Sequence, residues 1–322
     1  MEQRNKQSYI PVWTALFLSI LFILPSYCYS SDSTQKLNLQ LREAATVDDT
    51  EEVQRLLKQG AEVDGSNRFG VTPLMRAVQS GGWETAALLL ANGADVNART
   101  TAGCTALTIA AENNHEPISA MLVEMGADVS NKTRSGWDAL LIAARLGNVL
   151  IVNQLLSFNA SADTADRHGD TALTSAAMKG HTEVINALLD HGVDPNQKNN
   201  EGVTALIHAV DQGHSEIVQL LLNKGADAEA KTAEGGTALI WAAEKGDHKI
   251  VEALLKKGAK PNSQDNDGIS ALMEAAANGH SDAVALLLEH GADKSIKDKD
   301  GKTALDYAKK KKRQQIVTLL SN

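Results

Sequence analysis

The segment GDTALTSAAMKGHTEVINALLDHGVDPNQ, residues 169–197, contains polar side chains of the types that perform chemistry. His181 and Glu183 are two residues apart, and Asp190 and His191 follow at the end of an apolar run. Imidazole and carboxylate groups are ligands of zinc, and they also act as general acids and bases. The first question is therefore whether these residues form a metal or catalytic site, or whether they serve the fold.

A repeat of 33 residues accounts for most of the chain. Glycine recurs at this interval, and each glycine is followed by leucine after four residues and by alanine after seven. The eight repeat glycines are Gly70, Gly103, Gly136, Gly169, Gly202, Gly235, Gly268 and Gly301. Because no insertion interrupts this spacing, a residue type that recurs at one repeat position is interpreted as structural.

Within one unit, the residue types predict two short helices joined by turns. Thr171 is predicted to cap the first helix, and Gly180 to end it through a positive φ angle. Thr182 is then predicted to cap the second helix. Asn114 and Asn159 stand where other units have turn glycines, and Asn tolerates the left-handed conformation better than most residues. Neither helix can bury its apolar side alone, so neighbouring units must cover it.

Most of the histidines also follow the repeat. Two positions hold six of them, namely His115, His181, His214 and His280 after the turn between helices, and His191 and His290 before the second turn. A helix rises about 1.5 Å per residue, which places His181 and His191 about 15 Å apart, too far to share one metal ion. A structural role is therefore predicted for these histidines. His168 and His208 do not follow the repeat and remain candidate contact residues.

The unit G-x-T-A-L-x-x-A-A-x-x-G-H-x-x-x-V-x-x-L-L-x-x-G-A-D-x-N resembles the ankyrin repeat. It departs from the T-P-L-H-x-A motif of that family, because only one unit keeps the Pro, at Pro73, and none keeps the His. The resemblance implies an all-α fold, a solenoid of about nine helix-turn-helix units with short hairpin loops. It covers residues 37–322, with an N-terminal cap unit at 37–69, internal repeats at 70–300 and a C-terminal cap unit at 301–322.

The first thirty residues have the three parts of a secretory signal peptide. Arg4 and Lys6 precede a thirteen-residue apolar run at 12–24, which is shorter than the roughly twenty residues of a membrane span. Residues 1–30 are therefore predicted to be a signal peptide and 31–36 a short linker. The protein is expected in the periplasm or outside the cell, touching the membrane only in transit. Two alternatives stay open, an uncleaved membrane anchor and acylation of Cys28.

The composition argues against several function classes. The net charge is −9, and no basic stripe follows the chain, so a nucleic-acid partner is not expected. After cleavage only Cys104 of the two cysteines remains, which rules out a disulfide framework. A regular array without inserted loops offers no water-excluding pocket, so no catalytic residue, metal, cofactor or small-molecule substrate is predicted. The basic run at 309–313 is interpreted as the polar outer side of the last unit, with an anionic partner as the alternative.

The resemblance implies that a partner binds a concave surface made of hairpin tips and the inner side of the first helices. Phe69 and Trp137 flank repeat glycines at hairpin tips, and Trp241 and Tyr307 share one place on the first helix. The predicted partner-binding residues are Phe69, Trp137, Trp241, Tyr307, Arg145, Arg167, Met178 and Lys179. Packing between repeats is the alternative role for the aromatic residues. The basic residues in the middle of the surface favour an acidic partner segment.

The sequence thus predicts an exported, monomeric, non-catalytic protein that binds another protein. Two other function classes remain as alternatives: an effector that recruits host proteins, and an enzyme, which would need a pocket that breaks the regular array.

Overall fold

The computed structural model describes residues 24–321 of the 322-residue chain, with side chains from residue 33 onward. Contacts divide the chain into two compact units, Met1–Thr101 and Ala102–Asn322. The described residues form eighteen helices and no strand, which confirms the predicted all-α fold. None of the helices in this part of the chain is both long enough and apolar enough to cross a membrane. Repeat 1 is numbered here from residue 37, and repeats 2 to 9 begin at the repeat glycines.

Unit 1 contains two helix pairs, α1 (Leu24–Thr46) with α2 (Thr50–Lys58) and α3 (Pro73–Ser80) with α4 (Trp83–Ala91). Residues 1–23 of the predicted signal peptide lie outside the described residues. The segment 31–36, expected as a linker, is part of α1 and is therefore helical. The division into signal peptide, linker and repeat domain stays a prediction.

Unit 2 contains seven helix pairs, one for each of repeats 3 to 9. Its first helices are α5 (Ala106–Glu112), α7 (Ala139–Leu146), α9 (Ala172–Lys179), α11 (Ala205–Asp211), α13 (Ala238–Lys245), α15 (Ala271–Asn278) and α17 (Ala304–Lys310). Its second helices are α6 (Glu116–Glu124), α8 (Val149–Ser157), α10 (Thr182–Asp190), α12 (Ser215–Asn223), α14 (His248–Lys256), α16 (Ser281–Glu289) and α18 (Gln314–Ser321). First helices pack on neighbouring first helices, and second helices on neighbouring second helices.

The core of unit 2 lies between successive helix pairs. The recurring leucine and alanine of repeat 5, Leu173 and Ala176, are fully buried, as are Ile185 and Leu188 of its second helix. These side chains are aliphatic, in agreement with a chain in which aromatic residues make up only 4%. Each pair therefore depends on its neighbours for the removal of its apolar side from water.

The first helices begin at polar residues that bind their free amide groups. The hydroxyl of Thr171 accepts from the backbone N–H of Thr174, and the hydroxyl of Thr174 accepts from the backbone N–H of Thr171. This capping box confirms the role predicted for Thr171. The role predicted for Thr182 is wrong, because the helix α10 begins one residue earlier than expected. His181 occupies the N-cap position, and its side chain makes no capping hydrogen bond.

The turns adopt the left-handed backbone conformation expected of them. Gly180 has a φ angle of +84°, and the two asparagines that replace turn glycines, Asn114 and Asn159, have φ angles of +57° and +59°. A residue with a Cβ atom is disfavoured in this region, and Asn is among the least disfavoured. The asparagines are thus explained by the backbone alone.

The recurring histidine after the first turn packs against the turn of the preceding repeat. His181 Nε2 lies 3.1 Å from the carbonyl oxygen of Arg145, and its ring lies beside Gly147. A Cβ atom at Gly147 would be 2.7 Å from the imidazole. His280 makes the same contact with the carbonyl oxygen of Glu244 at 2.9 Å. These contacts confirm the structural interpretation of this histidine position.

Repeat 4 departs from the other repeats at its N-cap. Asp138 stands where the neighbouring repeats have Thr105 and Thr171, and its side chain is 2% exposed. One carboxylate oxygen accepts from the backbone N–H of Leu141 at 2.9 Å. Burial nevertheless raises the pKa of the Asp138 carboxyl above its ordinary value.

We predict that Gly147→Ala destabilises the protein more than Gly192→Ala does. The two glycines have nearly equal φ angles, +81° and +82°, so both substitutions carry the left-handed strain of about 1–2 kcal/mol. Only Gly147 has the His181 ring beside it, since Gly192 has no atom within 4 Å of an added Cβ. The clash should add about 1–3 kcal/mol to the loss, measured as the free energy of unfolding in urea. Equal losses would contradict the proposed role of His181.

A double-mutant cycle provides the control for this prediction. In a chain that already carries His181→Ala, Gly147→Ala should cost no more than Gly192→Ala does, because the ring is gone.

We predict that Asp138→Thr stabilises the protein at pH 7. The folded-state pKa of Asp138 lies above the unfolded-state value of about 3.9. The ionised carboxyl therefore opposes folding at pH values above its folded-state pKa. The gain in free energy of unfolding should shrink as the pH falls towards 4, in urea titrations at several pH values. The reciprocal substitution, Thr171→Asp, should lose stability over the same pH range. A gain that does not change with pH would contradict burial as its cause.

Candidate functional site

The polar residues of segment 169–197 serve separate structural roles. His181 and His191 lie at opposite ends of α10, and His191 Nδ1 donates to the carbonyl group four residues earlier at 2.8 Å. Asp190 accepts from Lys224 Nζ at 2.7 Å, and Glu183 is exposed in the first turn of α10. The described residues contain no group of three or more His, Cys, Asp or Glu side chains placed to hold a metal ion.

His208, which does not follow the repeat, joins repeats 5 and 6. Its Nε2 lies 3.4 Å from Asp170 Oδ1, and both side chains are largely buried. Asp170 also accepts from Asn199 Nδ2 at 3.0 Å. Burial acts to raise the pKa of Asp170, but the hydrogen bonds from His208 and Asn199 outweigh it, so the pKa lies below its ordinary value. His168, the other histidine outside the repeat, is exposed at a hairpin tip.

A cavity of about 310 Å³ lies between the hairpin and first helix of repeat 4 and the first helix of repeat 3. We call it the Trp137 cavity. Its apolar wall is formed by Cys104, Trp137, Ile142 and Leu146. The other lining residues are Ala102, Glu112, Thr133, Arg134, Ser135 and Arg145. An apolar wall with a few polar groups at its edge is typical of a binding pocket.

Trp137 is held in place by the hairpin and by Arg145. The indole Nε1 donates to Asp166 Oδ2 at 3.2 Å, and the guanidinium carbon of Arg145 lies 5.0 Å from the ring centroid. Asp166 is itself fixed, because its other oxygen accepts from the backbone N–H groups of His168 and Asp170. An arginine over the face of an aromatic ring forms a cation–π contact. The indole is thus oriented by contacts that the protein already makes, although Trp137 is only half-buried.

Two cationic side chains, those of Arg134 and Arg145, line the Trp137 cavity, and others lie on the next repeat. Arg134 lies before the repeat glycine at the tip of the hairpin that carries Trp137, and Arg167 is at the same position of the next hairpin. Both side chains are exposed, as is Lys179 at the end of α9, whereas Met178 is half-buried. We call the hairpin-tip residues and the exposed residues of the first helices the hairpin face. In repeats 4 and 5 this face carries positive charge around an apolar cavity.

Leu146 and Cys104 line the cavity, and the sequence prediction omitted both. The sequence indicates Leu146 by comparison of equivalent positions, because this position is polar in repeats 2, 3 and 5 to 9, at Ser80, Asn113, Lys179, Gln212, Lys245, Asn278 and Lys311. Leu146 is 47% exposed, unlike the buried leucines of the core, and an exposed apolar side chain beside a cavity is suited to contact a partner. Cys104 occupies the same repeat position as Trp137, directly after the glycine.

Phe69 lies in unit 1, in surroundings of the same chemical type. Its side chain is 51% exposed, and the guanidinium carbon of Arg68 lies 4.7 Å from the ring centroid. Near it is a cavity of about 660 Å³, which we call the Arg68 cavity. Its lining residues are Gln35, Lys36, Asn38, Leu39, Arg42, Ser66 and Arg68.

Trp241 and Tyr307, the two aromatic residues predicted on first helices, are half-buried and have intramolecular contacts. Gly236 lies against the Trp241 indole, since a Cβ atom there would be 2.9 Å from Nε1. The Tyr307 hydroxyl donates to Asp298 Oδ2 at 2.6 Å, and this hydrogen bond raises the pKa of Tyr307 to about 12. These contacts favour the packing alternative for both residues, and their part in binding stays a prediction.

The charge of the hairpin face changes from positive to negative after repeat 5. Hairpin tips and first helices of repeats 6 to 8 present a set of acidic residues: Glu201, Asp211, Glu234, Glu244, Asp267 and Glu274. Burial raises the pKa of Glu274, and the nearby charge of Glu244 raises it further. Asp211 is the one of the six with a cationic partner, Lys245 Nζ at 2.9 Å, among the residues that the structure describes. Trp241 therefore lies on an acidic part of the face.

The basic run at 309–313 lies in the last repeat, and all five of its residues are exposed. Lys312 takes the turn position with a φ angle of +58°, and Arg313 Nε donates to the carbonyl oxygen of Ala277 at 3.4 Å. Arg313 thus takes the place of the recurring histidine in the contact with the preceding repeat. The polar outer side is consistent with the interpretation of this unit as a cap.

Comparison with known proteins identifies the repeat. A family model described as ankyrin repeats (3 copies) matches residues 41–133, 126–199, 191–265 and 239–322. Comparison with curated proteins finds no match to the chain. Ankyrin repeats indicate a protein–protein interaction module, and proteins of this type are in general non-enzymatic scaffolds. The matches extend over most of the chain, and the helix pairs have the predicted order, so this protein belongs to the ankyrin-repeat family.

Proposed function

We propose that this protein is an exported, monomeric interaction protein that captures another protein on its hairpin face, without catalysis. The observation that carries the proposal is the Trp137 cavity, an apolar hollow whose main aromatic residue is already oriented by Asp166 and Arg145. A binding surface fixed before the partner arrives loses little conformational entropy on association.

The distribution of residue types supports this choice of surface. Positions that hold the fold together repeat from unit to unit, whereas the residues of the hairpin face differ between repeats. Aromatic and arginine side chains supply much of the binding energy at protein interfaces. The proposed contact residues are Phe69, Trp137, Arg145, Arg167, Met178 and Lys179, with Trp241 and Tyr307 as further contacts.

We predict that a photoreactive residue on the hairpin face captures a discrete partner in living cells. Lys179→benzoylphenylalanine places the probe on the exposed end of α9, at the repeat position that follows the one held by Arg145 in the preceding repeat. Irradiation of cells that export the protein should give one dominant crosslinked product on a gel, because the probe lies within the proposed interface.

The same repeat provides the control for this experiment. Asn186 is exposed on the second helix α10, away from the hairpin face, so Asn186→benzoylphenylalanine should give no such product. Crosslinks from residue 186 but not from residue 179 would refute the proposed surface.

We also predict that the mature protein begins at Ser31. Chain recovered from the extracytoplasmic fraction should have the intact mass of residues 31–322, because the apolar run at 12–24 directs export and is then removed. Leu18→Arg interrupts this run and should keep the chain in the cytoplasm. A full-length chain in the membrane fraction would support the uncleaved anchor instead, and cytoplasmic wild-type chain would refute export.

A further inference from the structure

We infer that the partner presents an acidic segment in which carboxylates flank an aromatic or aliphatic side chain, and that each unit of this chain has its own site for such a segment. The inference rests on the proposed function, because it names the chemistry of the partner captured on the hairpin face. One site is the Trp137 cavity in unit 2. The other is the Arg68 cavity with the adjacent Phe69 in unit 1.

Both sites place an arginine over an aromatic ring. Arg145 lies 5.0 Å above the Trp137 ring, and Arg68 lies 4.7 Å above the Phe69 ring. Stacking uses the flat side of the guanidinium group and leaves the N–H groups in its plane able to donate. Two parallel hydrogen bonds from this edge match the two oxygens of a carboxylate. The geometry therefore suits an Asp or Glu side chain whose neighbour packs against the ring.

The cations of the unit 2 site have no carboxylate partner of their own. Among the described residues, Arg134, Arg145, Arg167 and Lys179 form no salt bridge. Four lysines elsewhere in unit 2 do pair, Lys224, Lys245, Lys256 and Lys302, each within 2.9 Å of a carboxylate oxygen. In a chain of net charge −9, an unpaired cationic cluster around an apolar cavity has charge available for an acidic ligand.

The unit 1 site also combines cationic and apolar side chains. Lys36, Arg42 and Arg68 line its cavity, and Leu39 is 48% exposed beside them. Burial lowers the pKa of Arg42 and the nearby charge of Arg76 lowers it further, whereas the charge of Glu43 acts to raise it. A carboxylate in this cavity would relieve that repulsion, and Leu39 and Phe69 would contact an apolar side chain.

The unit 2 site ends where the hairpin face becomes acidic. Glu234 and Glu244 are exposed near Trp241, so an acidic segment is repelled there. At physiological salt, charges are screened beyond about 8 Å, so the potential at the Trp137 cavity depends mainly on its own charged residues, two arginines and Glu112, and less on the net charge of the chain. Trp241 therefore lies on the same face as Trp137 but in surroundings of opposite charge.

The test is a titration of the purified exported chain with a fluorescein-labelled peptide in which Phe and Leu stand among Glu and Asp residues. Anisotropy and calorimetry should show two sites per chain, with affinity that falls as salt is raised. A peptide with Gln and Asn in place of the acids, and one with Lys in their place, should bind at least about tenfold more weakly, since the charged hydrogen bonds are lost.

Variants assign the two sites. Arg145→Glu should remove the site in unit 2 and leave one, and Arg68→Glu should remove the site in unit 1 and leave one. Arg167→Glu, at an exposed position, should weaken the unit 2 site even if Arg145→Glu unfolds the chain. Lys257→Glu makes the same charge change on an exposed position after α14 and should leave both sites intact.

Three results would overturn the inference: equal binding of the neutral peptide, loss of both sites in Lys257→Glu, or no effect of either arginine variant. Failure of the peptide alone, with the crosslink at residue 179 still present, would refute the acidic partner and not the proposed surface. Absence of any crosslink from residue 179 would refute the proposed binding surface itself.

Discussion

Each repeat of this protein depends on its neighbours, because two short helices cannot bury their apolar sides alone. That dependence requires every helix pair to present the same shape to the next one. Similar turns supply this shape, through positive-φ residues at fixed positions, mostly glycine or asparagine, and in several repeats through a histidine ring beside the preceding turn. Most of the chain's polar and unusual residues follow from this one constraint.

The constraint also separates structure from function along the sequence. Residues such as Thr171 and His181 recur because the backbone needs a cap or a turn contact at that place. Residues such as Trp137, Arg145 and Leu146 meet no such need, and they surround one cavity on the hairpin face. Because the fold does not constrain these positions, their residue types can be selected for binding a partner. The change from basic repeats 4 and 5 to acidic repeats 6 to 8 then makes one face chemically uneven, which orients whatever binds it.

The fold could be predicted from the sequence because the spacing of 33 residues fixes which positions are equivalent. Thr171, Gly180 and Asn159 each behave as their repeat position required. Thr182 did not, because a repeat aligns residues without showing which of two neighbours takes the N-cap, and His181 takes it while contacting the preceding repeat. The candidate site was only partly predictable. Trp137 and Arg145 were identified by type, but their contact, and the cavity they share with Cys104, depend on side-chain directions across two repeats.

The most direct test of the central claim resets the hairpin face to residues that the chain itself uses at the same repeat positions. The variant carries Trp137→Val, Arg145→Glu, Leu146→Lys and Arg167→Asn, after Val203, Glu244, Lys245 and Asn200. The measurement is binding of the crosslinked partner, once purified, together with the thermal unfolding of the variant. We predict unfolding at or near the wild-type temperature and loss of partner binding at the unit 2 site. Binding at wild-type strength by this folded variant would contradict the assignment of function to the residues that do not repeat.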